Sequence, residues 1–151
     1  MGIMAKVKKI VAVLDSMWGG GQGRATSYFR INPYNRSGNR LYSLLGSWGR
    51  YLWVTNCCPE MQIDANHHGK PDPGYLAKNL TSLEPISLIL VMGEVAKSTF
   101  EKIGYNTNAR ILILKHPAAR NWTNQEIQST AGKIRYLLLQ KDADCTLTMS
   151  K

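Results

Sequence analysis

Arg110-Ile111-Leu112-Ile113-Leu114-Lys115-His116-Pro117-Ala118-Ala119-Arg120-Asn121 is an apolar run that stops at a histidine and a proline. A short stretch of β-branched and leucine residues reads as a buried strand, and Pro117 cannot extend the pairing. The chain therefore turns at the C-terminal end of a strand, where open α/β sheets place their ligands, and it delivers a histidine there. Arg120 and Asn121 follow within reach of a phosphate. An imidazole beside groups that hold a phosphodiester backbone suits chemistry on a nucleotide better than chemistry on a free metabolite.

Working outward, three more apolar runs appear: Ile10–Leu14, residues 51–55 and residues 87–92, alongside 111–114. None alternates strictly between apolar and polar, as expected of parallel strands covered on both faces. Helical spacing fills the intervals. Leu41, Leu44, Leu45 and Trp48 mark a helix over 40–48, and Leu76, Leu80 and Leu83 mark one over 75–83. Glu94–Ile103 follows Gly93 and ends before Gly104, a favourable residue just past a helix end. Residues 123–140 read as a long closing helix with Ile127, Ile134, Leu137 and Leu138 inward. Alternating strands and helices imply right-handed crossovers and an α/β three-layer sandwich around a four-stranded parallel sheet. Two long loops remain, 15–38 and 59–74. Long loops on a compact scaffold are commonly functional.

The chain has 151 residues, 44% of them hydrophobic and 19% charged, which fits one soluble globular domain. We expect that domain over residues 1–141 and a flexible C-terminal tail over 142–151. Nineteen Lys and Arg against ten Asp and Glu give a net charge of +9, which favours a polyanionic partner. The three cysteines, with Cys57 and Cys58 adjacent, form neither a disulfide framework nor a metal site of CxxC spacing. A reducing compartment follows. No apolar run approaches the roughly 18 residues of a membrane span, and residues 1–9 lack the apolar core of a secretory signal. The expected location is the cytoplasm, or the nucleoid or nucleus, with no secretion and no membrane.

Three strand ends carry polar groups: Asp15 after the first run, Asn56 after the second and His116 after the fourth. Parallel strands would bring all three to one edge of the sheet. Taken singly, each is what any strand end shows to solvent; taken together, their chemistry is complementary. An asparagine offers a donor and an acceptor side by side, matching a pyrimidine edge. A histidine can stabilise a developing oxyanion, and a carboxylate can orient water or balance a cation. The stretch Trp18-Gly19-Gly20-Gly21-Gln22-Gly23-Arg24 is glycine-rich after a strand but lacks both GxGxxG and a phosphate-loop Lys-Ser/Thr. It reads as a loop that admits a nucleotide close to its backbone, or as a merely flexible one. His67 and His68 are adjacent, so their side chains point apart, and a solvated loop explains them better than a metal. Tyr28, Phe29 and Tyr34 lie among Arg24, Arg30 and Arg36, an interleaving that suits base stacking and phosphate contact.

These segments together resemble the uracil-DNA glycosylase superfamily over nearly the whole globular length. Asn56-Cys57-Cys58-Pro59 is similar to its base-recognition motif, and His116-Pro117-Ala118-Ala119-Arg120-Asn121 to its second catalytic motif. Both are closest to the single-strand-selective monofunctional branch, with its Asn-x-Cys-Pro and His-Pro-x-x-Arg-Asn patterns. Gly38-Asn39-Arg40-Leu41-Tyr42 resembles the mismatch-specific branch, and Leu90-Val91-Met92-Gly93 followed by Ala96 is similar to the family's third strand and helix. The iron–sulfur branch is excluded by its need for four cysteines. The resemblance implies a sheet order of 2-1-3-4, a monomer, single- or double-stranded DNA as partner, and no metal or cofactor.

The first catalytic motif departs from the family's forms. Asp15-Ser16-Met17-Trp18-Gly19-Gly20-Gly21-Gln22 can be laid on the uracil-specific branch so that Asp15 matches the water-activating aspartate. Met17 then replaces the tyrosine that excludes a 5-methyl group. A second register puts Ser16 at the catalytic place and leaves no carboxylate. The resulting expectation is a monofunctional glycosylase that hydrolyses the N-glycosidic bond of uracil or a 5-substituted pyrimidine in flipped-out form. Asp15 and His116 would be catalytic, with Asn56, Met17, Tyr34 and Phe29 around the base. Arg24, Arg30, Arg36, Arg40, Arg120 and Asn121 would hold DNA. Two rivals stand beside it: a non-catalytic nucleobase- or DNA-binding protein on the same fold, and an enzyme acting on free nucleotides.

Overall fold

The computed structural model describes residues 7–16, 27–60 and 69–140. Among these residues five strands form one sheet: β1 (Ile10–Leu14), β2 (Tyr28–Phe29), β3 (Leu52–Asn56), β4 (Leu88–Met92) and β5 (Arg110–Leu114). Four α-helices accompany them: α1 (Arg36–Leu45), α2 (Pro73–Leu83), α3 (Glu94–Ile103) and α4 (Asn124–Leu139). A 3-10 helix, Gly46–Tyr51, joins α1 to β3.

The sheet order is β2-β3-β1-β4-β5. Strands β3, β1, β4 and β5 are mutually parallel, in the order expected of four strands. The expectation of a wholly parallel four-stranded sheet is corrected by β2, which pairs antiparallel with β3 at the edge and makes the sheet mixed. Two residues are too few to show a strand period, so nothing in the loop 15–38 announced it.

Helices α1 and α4 cover one face and α2 and α3 the other. On β1 the division is residue by residue: Ile10, Ala12 and Leu14 join the first cluster, Val11 and Val13 the second. All five β1 residues are buried, which explains the unbroken apolar run. β5 departs from that reading. Leu112 and Leu114 pack inward, but Ile111 and Ile113 are exposed, because β5 is an edge strand whose second face no described helix covers.

Local chemistry sets the helix ends. Asn35 caps α1 by accepting from the Gly38 N–H at 2.7 Å, so α1 begins four residues before the helix read at 40–48, behind a polar first turn without apolar periodicity. A side chain at Gly38 would collide with the Asn32 carbonyl, so this turn requires glycine. Asp72 and Pro73 start α2, and Thr123 with Glu126 forms a reciprocal capping box at the start of α4.

Candidate active site

The parallel register carries three strand ends to one edge. Leu14 lies opposite Asn56, and the chain then ties β1 to β3: the Cys57 N–H donates to the Leu14 carbonyl at 2.9 Å and to the Asp15 carbonyl at 3.1 Å. The Cys58 N–H also reaches the Asp15 carbonyl, at 3.1 Å. Across the sheet, Gly93 follows β4 and His116 follows β5, and the Gly93 N–H donates to the Leu114 carbonyl at 2.9 Å. Asn56, Asp15, Gly93 and His116 thus come from four consecutive strands at their C-terminal ends, the place where ligands bind such sheets.

Asn56 is 1% exposed, and neither Oδ1 nor Nδ2 has a hydrogen-bond partner among the described residues. An unpaired buried amide costs roughly 1–3 kcal/mol, so native chains keep one only for a reason. The neighbouring Thr55, also buried, is fully engaged: it donates to the Ser27 carbonyl at 2.7 Å and accepts from Asn79 Nδ2 at 3.1 Å. Two polar side chains side by side on β3 are therefore treated differently, one satisfied by the fold and one held open.

His116 is locked in one tautomer. Its Nδ1 accepts from the Ala118 N–H at 3.0 Å, so the ring proton of the neutral form sits on Nε2. Burial pushes its pKa below the usual 6.5, with the Asp15 carboxylate pulling in the opposite direction. The side chain is therefore neutral at physiological pH and presents an N–H donor. Its backbone is held as well, since the His116 carbonyl accepts from Ala119 N–H at 3.0 Å and from Trp122 Nε1 at 2.8 Å. Gly93, at φ +98°, backs the imidazole; a Cβ there would stand 3.4 Å from His116 Cβ.

The Asp15 carboxylate receives the Ser16 hydroxyl at 2.9 Å and the Cys58 thiol at 3.5 Å, both on Oδ1. Burial raises the Cys58 thiol to about 11 and the Cys57 thiol to about 12, so neither is a thiolate nucleophile near neutrality. Among the described residues no group of three or more His, Cys, Asp or Glu could hold a metal ion.

The predicted DNA-contacting residues divide. Arg36, Arg120 and Asn121 are exposed. Arg40 stands 5.3 Å from the Trp122 ring, and its Nη1 is buried without a partner among the described residues. Arg30 points elsewhere: Nη1 donates to the Arg50 and Leu52 carbonyls at 2.9 and 2.8 Å, and its guanidinium lies 4.1 Å over Trp53. That places it at the start of β3, about 13 Å of strand from Asn56. Tyr34 is 92% exposed on the turn leading into α1, while Phe29 packs half-buried against the core. Met17, Arg24, the glycine-rich stretch, His67, His68 and the tail 142–151 lie outside the described residues. Gly93 and Cys58 stood inside quoted motifs without a role of their own, and Trp122 was not named from the sequence. Trp122 directly follows the quoted Arg120-Asn121.

A separate cleft of about 550 Å³, lined by Glu84, Ile86, Asn106 and Asn108, opens at the opposite edge, where β4 and β5 begin. It contains none of the groups just described.

The model of the uracil DNA glycosylase superfamily matches residues 24–137. The chain belongs to that superfamily. Its members are hydrolytic DNA glycosylases of DNA repair, and the family acts on DNA. No curated protein matches the chain. Among the described residues no helix is long and apolar enough to cross a membrane.

Proposed function

We propose that this glycosylase-superfamily protein removes uracil or a 5-substituted pyrimidine from DNA by hydrolysis of the N-glycosidic bond, acting as a monomer without a metal or cofactor. The observation that carries the reading is the Asn56 carboxamide, buried with both ends unpaired among the described residues. A pyrimidine such as uracil shows an acceptor beside an N–H donor on its Watson–Crick edge, the complement of that amide. The target nucleotide leaves the stack at a cost of a few kcal/mol and brings this edge to Asn56.

When the C1′–N bond breaks, its electron pair goes to the base and positive charge remains on the sugar. The Nε2–H of neutral His116 stabilises the anionic base, and the Asp15 carboxylate stabilises the sugar cation and aligns water. Water oxygen bonds to C1′, its proton passes to solvent, and the departing base takes up a proton. A neutral donor is the useful form of His116, since it transfers no proton and acts only on charge that develops. Phe29 and Tyr34 are the aromatics offered to bases. Met17, in the register that makes Asp15 catalytic, leaves room for a 5-substituent that a tyrosine would exclude. Arg24, Arg36, Arg40, Arg120 and Asn121 supply phosphate contacts, whereas Arg30 is engaged with the Arg50 and Leu52 carbonyls.

Incubation with oligonucleotides carrying uracil, thymine or bulkier 5-modified pyrimidines, followed by alkali cleavage of abasic sites, tests the reading. Met17→Tyr should suppress activity on 5-substituted bases and spare uracil. Tight DNA binding with no strand scission on any substrate would favour the non-catalytic binding protein instead.

A further inference from the structure

We infer that Cys58 is a positioning residue for Asp15: its thiol and the Ser16 hydroxyl together occupy Oδ1 of the carboxylate and leave Oδ2 to hold the attacking water. What that water does rests on the glycosylase reading above; the hydrogen bond itself does not. Ser16 Oγ lies 2.9 Å and Cys58 Sγ 3.5 Å from the same oxygen, the longer separation being ordinary for sulfur. Ser16 approaches from the adjacent residue and Cys58 from the turn after β3, 43 residues away in sequence. Two donors from different strand ends fix the carboxylate plane, which a single hydrogen bond would leave free to swing. The thiol is itself placed by backbone, because the Cys57 and Cys58 N–H groups both bind the Asp15 carbonyl at 3.1 Å. Cys58 also stays protonated across the neutral range, so it donates to the carboxylate rather than repelling it.

The adjacent cysteines thus have separate tasks. Cys57 belongs to the core between the sheet and the α2–α3 layer, and its thiol interacts with Thr99. Cys58 belongs to none of that packing and turns to the catalytic edge. Alanine at 58 would leave Oδ1 with the Ser16 hydroxyl alone and let the carboxylate swing; serine would keep a donor on a similar stem. Misplacing a reacting group by about an ångström can cost as much as a hundredfold in rate.

The test combines kinetics with spectroscopy on the full-length protein. In single-turnover excision, Cys58→Ala should slow cleavage about tenfold to a hundredfold at unchanged DNA affinity, and Cys58→Ser should restore most of the rate. In an Asp15→Ala background the difference between cysteine and alanine at 58 should vanish. Equal rates for the wild type and Cys58→Ala, or a penalty that persists without Asp15, would overturn the inference. The infrared S–H stretch of Cys58, assigned by its loss in Cys58→Ser, reads the bond without activity and should move to higher frequency in Asp15→Ala. An unmoved band refutes the bond. A wild-type protein that cleaves none of the oligonucleotides refutes the glycosylase reading instead, and the infrared result then decides the bond alone.

Discussion

The Ala118 backbone N–H donates to Nδ1 of His116 at 3.0 Å, and this contact decides which imidazole nitrogen faces the site. A backbone amide cannot accept, so Nδ1 must hold its lone pair and Nε2 the proton. Protonation of the ring would break the bond as well as charge a half-buried group. His116→Ala should therefore lower single-turnover cleavage by roughly 10²–10³-fold, the range for losing one preorganised donor, with little change in DNA affinity. Loss of binding with unchanged cleavage of bound substrate would make His116 a docking residue.

The same burial has a consequence for stability. The folded-state pKa of His116 is below the 6.5 of the unfolded chain, so below pH 6.5 the unfolded state binds the extra proton first. Stability should fall as pH drops through that value toward the depressed folded pKa, and be unaffected by this group at higher pH. Urea unfolding across pH 5–8 should show a steeper acid-side decline in the wild type than in His116→Asn. Parallel curves would mean that His116 titrates alike in both states.

Asn56 should trade stability against activity. Replacing a buried, unpaired amide with an apolar group of similar shape removes a desolvation penalty, so Asn56→Leu should stabilise the fold by about 1–3 kcal/mol. It should also abolish base excision. Asn56→Asp should sharply reduce excision of uracil-like bases, by roughly 2–4 kcal/mol of transition-state stabilisation. Denaturation midpoints and single-turnover rates check both; a strongly destabilised Asn56→Leu would show that the amide has a structural partner.

Gly93 is constrained by φ +98°, a backbone conformation that L side chains rarely adopt, and its backbone lies in contact range of the His116 side chain, so relaxation there would be passed to the imidazole. Gly93→Ala should destabilise by more than about 1 kcal/mol and displace the imidazole. Cleavage should fall more than DNA binding does. Undiminished cleavage would show that the imidazole does not need this support.

Salt should distinguish the arginines. The exposed Arg36 and Arg120 should each lower the log–log salt slope of binding when changed to alanine, by about 0.7 on single strands and 0.9 on duplex. Arg30, whose Nη1 serves the Arg50 and Leu52 carbonyls, should show its larger effect in denaturant unfolding. A salt-independent affinity of the wild type would count against phosphate contacts altogether.

The sequence by itself determined the parts whose causes are local. Apolar runs at β1, β3, β4 and β5, and the spacing of Leu41, Leu44 and Leu45 or of Leu76, Leu80 and Leu83, follow from near neighbours in the chain. The polar ends Asp15, Asn56 and His116 were visible because they interrupt those runs. What only the tertiary structure decided depends on partners distant in sequence. β2 exists by pairing with β3, and the outward face of β5 is bare because no described helix reaches that edge. Asn56 and Thr55 look alike in sequence; one finds Ser27 and Asn79 while the other finds no partner among the described residues. The twin cysteines likewise divide only when strand alternation turns Cys57 to the core and the β1–β3 register sets Cys58 beside Asp15. Local propensity writes the elements, and a turn two residues long fixes the His116 tautomer, but the open amide of Asn56 and the Cys58 contact on the Asp15 carboxylate arise only from long-range packing.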